Sequence, residues 1–74
     1  MENWRDRITV NAEQCGGRPC IRGMRIRVID ILQLLASGLT QDQILKELPD
    51  LVAEDISAAL IYAGDKLDHP IIAA

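Results

Sequence analysis

Phenylalanine is absent from this sequence, and tryptophan and tyrosine occur once each. A core without large rings has to be assembled from Leu, Ile, Val and Ala, in a chain where apolar residues make up 49% of the total. Histidine is limited to His69, which has no nucleophile spaced near it and no second histidine to share a metal. Two cysteines, Cys15 and Cys20, are too few for a disulfide framework and are expected as free thiols. Their C-x4-C spacing supplies half of a tetrahedral zinc site, which needs two further ligands, so no metal is expected. The longest unbroken apolar run, residues 58–63, is far short of the roughly 20 residues of a membrane-spanning helix. The opening MENWRDR carries charges of both signs and no apolar h-region, so neither a signal peptide nor export is expected, and the cytoplasm is the expected location.

What remains is small and aliphatic. A chain of 74 residues is one domain, here read as 1–74, and a globule of that size buries a modest share of its surface. Aliphatic cores this small gain area by pairing with another chain, so a homodimer is expected. The net charge of −3 hides an asymmetry: residues 1–27 hold six arginines against Glu2, Asp6 and Glu13, whereas residues 28–74 hold two lysines against eight acids. The basic third suits phosphates or an acidic protein surface; the remainder repels nucleic acid. Internal pairing between the two halves is the alternative.

Special-purpose residues concentrate in 8–26, ITVNAEQCGGRPCIRGMRI. Gly16, Gly17 and Gly23 give backbone freedom, and Pro19 fixes a dihedral and removes a donor, which together predict a shaped loop. Residues 7–10 and 25–28 alternate polar and apolar as short strands, placed to close a wide hairpin or to pair with a partner chain. Within 7–28 the candidate binding residues are Arg18, Arg22, Arg25 and Arg27. Arg22 and Arg25 flank Gly23 and Met24, so a turn there presents two guanidinium forks to carboxylates or phosphates. Pairing with internal acids such as Asp30 or Glu13 is the competing reading.

From Val28 the apolar period becomes helical. Val28, Ile31, Leu32 and Leu35 make one stripe, Ile29 and Leu34 fall off it, and Ser37-Gly38 is a stop, giving helix one over 28–37 with more than one apolar face. Thr40 as N-cap, Gln43 at the capping-box position and a Leu39–Ile44 staple start helix two over 40–48, and Pro49 ends it. The pattern recurs at Leu51 and Ile56 with Val52 in a cap position it cannot fill, giving helix three over 52–66. Ile56, Ala59, Leu60, Ala63 and Leu67 form its stripe, and Glu54, Asp55, Ser57, Tyr62 and Asp65 its expected exposed, acidic face. The tail over 67–74 is apolar and broken by Pro70.

The expected fold is mostly α, with short amino-terminal strands before three helices in a helix-turn-helix arrangement. An acidic third helix is a poor reader of DNA, so DNA binding would fall to Arg18, Arg22, Arg25 and Arg27. No enzyme signature is present: Gly16-Gly17 is too short for a phosphate loop, and neither cysteine has a general base.

The string CGGRPCIRGMRI, followed by VIDILQLLASGLTQDQILKELPDLVAEDISAALIYA, closely resembles the bacterial and archaeal family known as domain of unknown function 433. Cys15, Gly16, Gly17, Pro19, Ile21, Gly23, Arg25 and Ile26 match its core motif, and Gly38, Leu39, Pro49 and Ile56 match the rest, over about residues 7–63. Met24 stands where a small Thr is usual, and Val52 replaces the second cap Thr. The resemblance implies a homeodomain-like module. Genes of that family typically lie beside those of PIN-like ribonucleases, so it also implies an antitoxin of the VapB kind. An arginine set among the metal-holding carboxylates of such a nuclease would block its site, a role for which Arg22 and Arg25 are the candidates here.

Overall fold

The computed structural model describes residues 3–68. A 3-10 turn over Trp4–Arg7 leads into β1 (Ile8–Thr9), a loop with a second 3-10 turn at Cys15–Gly17, β2 (Cys20–Ile21), and helices α1 (Val28–Ala36), α2 (Gln41–Glu47) and α3 (Ala53–Leu67). β1 and β2 are antiparallel, with Ile8 opposite Ile21 and Thr9 opposite Cys20. The wide hairpin therefore closes within one chain. The second strand, however, is Cys20–Ile21 and not the expected 25–28. A tight turn at Arg22-Gly23 brings 25–28 back along the free side of β2, where a single bridge joins Arg27 to Cys20. The Ile21 amide donating to Ile26 O and the Val28 amide donating to Pro19 O make that bridge, and pairing goes no further because Pro19 has no amide proton and α1 begins at Val28.

The helices begin and end where local chemistry dictates. At α1 the Asp30 carboxylate accepts from the Arg27 amide at 2.9 Å. Gly38 closes the helix in the left-handed region at φ 101°, its amide donating to Leu35 O. At α2 the capping box is complete: Thr40 Oγ1 accepts from the Gln43 amide, and Gln43 Oε1 from the Thr40 amide. Val52 occupies the N-cap of α3 with no side-chain acceptor to offer, and the Asp55 carboxylate reaches back to its amide at 2.9 Å.

Ile21, Val28, Ile31, Ile44, Leu51, Ile56 and Ala59 form the buried core, with Leu39, Leu48 and Met24 packed against it. It is entirely aliphatic, as the composition requires. The third helix departs from expectation in two directions. Leu60 and Leu67, on the expected core stripe, are 49% and 79% exposed. Asp55, expected on the outer face, is fully buried, and Tyr62 is half-buried under the Trp4 ring at 6.2 Å between centroids. The cause is the amino-terminal 3-10 turn, which docks on α3 beside Tyr62 and rotates the buried face toward Asp55 and Tyr62. Of the tail over 67–74, Leu67 ends α3; His69 and the residues after it lie outside the described residues.

Because Val52 sits at the N-cap with extended φ and ψ, Val52→Thr adds the missing acceptor and should stabilise the fold by about 0.5–1 kcal/mol. A thermal melt checks this; an unchanged or lowered midpoint would show that Asp55 already supplies all the capping this end can use.

Candidate functional site

Cys15, Gly16 and Gly17 form a run of three left-handed residues, with φ of 53°, 65° and 79°. Two of the three are glycine, the residue that adopts this region without a Cβ penalty. The run turns the chain so that Pro19 leads straight into β2. Gln14 Nε2 donates to Gly23 O at 2.6 Å, and Thr9 Oγ1 accepts from the Gly23 amide at 2.9 Å. These bonds tie the wide loop to the tight turn beyond β2. That turn places Arg22 at φ 46° and Gly23 at φ 73°, with the Met24 amide donating to Ile21 O, the pattern of a type I′ turn. Its first central position favours Asn, Asp or Gly, and an arginine there costs on the order of 1 kcal/mol in backbone strain.

The Arg22 guanidinium offsets that strain. Nε and Nη2 donate to the two oxygens of Asp55 at 3.1 and 2.9 Å, and Nη2 also reaches Asp50 O at 2.7 Å. Arg7 Nη1 joins from the end of the 3-10 turn before β1 at 2.8 Å. With the Val52 amide, the buried Asp55 carboxylate accepts from two arginines and one backbone N–H. Burial alone would raise the Asp55 carboxyl, but Arg22, Val52 and Arg7 together outweigh it and hold it below its ordinary range. The internal acid for Arg22 is thus Asp55, not Glu13 or Asp30.

Arg27 is also paired internally, its Nη2 donating to Asp30 Oδ1 at 2.7 Å, and this pair holds Asp30 below its ordinary range. Arg18 and Arg25 differ: both are exposed and neither has an ion-pair partner among the described residues. Arg25 borders a shallow groove of about 520 Å³ lined by Ile26, Asp30, Gln33, Leu34, Ser37 and Leu48. Arg18 borders a second, more apolar one between α1 and α3. The four candidate arginines therefore divide into two that hold the fold and two that face outward. Gly16, Gly17 and Gly23 all have positive φ, and Pro19 immediately precedes β2.

The cysteines lie side by side. Burial pushes the Cys20 thiol up to about 11, and the neighbouring Cys15 thiol adds to the rise. Cys20 is therefore protonated at neutral pH and a poor nucleophile. Sequence reasoning missed Asp55, although a signal was there: an acid at the third position of a helix whose N-cap is valine is the residue left to satisfy the first amides.

Asp55→Ala leaves Arg7 and Arg22 facing a buried site without a counter-charge and should cost about 3 kcal/mol or more, read by denaturant unfolding. The folded Asp55 value lies below the ordinary 3.8, so the stabilisation is fully present above that pH and is lost as pH falls below it. Arg22→Ala, which removes the largest opposing cause, should move acid unfolding to higher pH. An unmoved acid transition would show that Arg7 and Val52 suffice.

The model of a protein family of unknown function, DUF433, matches residues 8–63. The uncharacterized protein y4eO of Sinorhizobium fredii is 37% identical over 59 residues, which cover 80% of this chain and 27% of that protein. A crystal structure of a DUF433 member from Anabaena variabilis has the same fold, with a TM-score of 0.80 and 31% identity over 86% of this chain and 63% of that one. The chain thus spans about a quarter of the one relative and under two thirds of the other. The match runs from β1 through the left-handed loop to the middle of α3, and on it this chain belongs to the DUF433 family.

Proposed function

We propose that this chain is a non-enzymatic binding module that acts as an antitoxin, neutralising a PIN-like ribonuclease by presenting Arg25 to its acidic metal site. The observation that carries the reading is the division of labour among the arginines. Arg22 and Arg27 are satisfied within the domain, whereas Arg25 is exposed, has no ion-pair partner among the described residues and stands beside a groove of Ile26, Leu34 and Leu48 whose one acid, Asp30, is already taken by Arg27. A guanidinium fork next to aliphatic surface is what recognition of a carboxylate cluster on another protein requires: the apolar contacts supply affinity, and the fork displaces the cation. The family resemblance supplies the nuclease as the partner. The internal role of Arg22 narrows the inserted group to Arg25.

Regulation of transcription through DNA is the second reading, and Arg18, also exposed and unpaired, is the residue that favours it. Pairing of Arg22 and Arg27 with Asp55 and Asp30 removes half of the charge that this reading needs. Glu54 and Asp65 on the outer side of α3 repel phosphates.

Co-expression with a PIN-like ribonuclease tests the proposal. Arg25→Ala should restore RNA cleavage by the co-purified nuclease by at least about tenfold, the equivalent of one lost charge-assisted contact, with an unchanged melting temperature. Continued inhibition by Arg25→Ala would remove the mechanism. Duplex DNA binding with a steep salt dependence, abolished by Arg18→Ala, would replace it.

A further inference from the structure

Along the outer side of α3 runs an uncharged strip, flanked by Glu54 and Asp65, and nothing in the described chain covers it. Residues three or four apart share one side of a helix, and Ala53, Ser57, Leu60, Gly64 and Leu67 follow one another at 4-3-4-3 spacing. The last four are exposed and none carries a charge. Large leucines alternate with small residues, and the space beside Gly64 is open: a Cβ there would meet nothing within 4 Å. Such a strip has the spacing of a helix-pair seam, with two leucine knobs and room to receive them on one surface.

The two flanks of that seam differ and complement each other. On one flank Ile61, 48% exposed, projects between Glu54 and Asp65, which lie seven residues before it and four after it. On the other flank lies the groove of about 410 Å³ between α1 and α3, lined by Ile29, Leu32, Ala63 and Leu67 together with the basic Arg18 and Lys66. One flank is an apolar knob among acids; the other is an apolar groove among bases. A parallel pair about a two-fold axis sets each knob against the partner's groove, whereas an antiparallel pair would set acid against acid.

We infer that a second copy of this chain covers this face, with the two α3 helices packed in parallel and each Ile61 seated in the other copy's groove. Ile29, Leu60, Ile61 and Leu67 together leave roughly 400 Å² of aliphatic surface open per copy, close to the apolar share of a standard interface of about 800 Å² per partner. The aliphatic core, drawn from so short a chain, gains from the same contact. The groove beside Arg25 is lined by different residues and stays free for another partner.

Analytical ultracentrifugation over a concentration series into the millimolar range tests the assignment. The wild-type chain should reach twice its 8.2 kDa mass. Leu60→Glu, at a position exposed in the single chain, should weaken self-association by at least about a hundredfold without loss of helical signal, because both copies place a charge in the middle of the seam. Gly64→Cys should form a covalent dimer under mild oxidation, since a parallel seam brings the two copies of that position together. A wild type that remains monomeric overturns the inference, whether residues 69–74 of the same chain fill the groove or nothing does. A dimer that survives Leu60→Glu, or one in which Gly64→Cys fails to cross-link, overturns it equally.

Discussion

The carboxylate of Asp55 is where the amino-terminal third of the chain meets the helices. It receives Arg7 from the edge of β1 and Arg22 from the type I′ turn, and it satisfies the Val52 amide at the start of its own helix. Without it the hairpin, the turn and the α2–α3 corner have no common fixed point. A buried ion pair of this kind gives little or no net gain over a well-packed apolar replacement, since desolvation offsets the attraction. Its larger effect is on specificity: a carboxylate that cannot stay buried unpaired admits only arrangements that deliver both arginines.

The lopsided charge of the sequence takes on a different meaning in this light. Six arginines before residue 28 and eight acids after it look like an electrostatic face offered to a partner. Part of that asymmetry is spent inside the molecule, with Arg7 and Arg22 on Asp55 and Arg27 on Asp30. The charge left without an ion pair among the described residues is smaller, and it is divided: Arg18 and Arg25 border separate grooves.

The helices were legible from their punctuation. Thr40 and Gln43, Gly38, and Pro49 act through bonds to neighbours within a few residues, and such bonds are encoded where they form. The second strand was not legible, because Cys20–Ile21 becomes a strand only through the turn at Arg22-Gly23, and an arginine at φ 46° is a conformation that propensity disfavours. Periodicity gave the right stripe on α3 and the wrong occupancy. Leu60 and Leu67 share a side with Ile56, but which part of that side is covered depends on where the 3-10 turn carrying Trp4 lands. The division of the arginines was likewise beyond the sequence. Arg22 and Asp55 lie 33 residues apart, and no local rule pairs them in preference to Glu13 or Asp30.

The type I′ turn ties the order of events in folding to the far end of the domain. Arg7 lies 48 residues from its carboxylate and Arg22 lies 33, so neither can be neutralised until α3 has been made. A nascent chain emerging from the ribosome exposes its whole basic segment first, with a disfavoured turn and a two-residue strand that are too weak to persist alone. The hairpin therefore has no life as an autonomous unit. Its arginines meet their carboxylate only when the helix that carries Asp55 arrives, so the loop has its full set of contacts only in a finished domain.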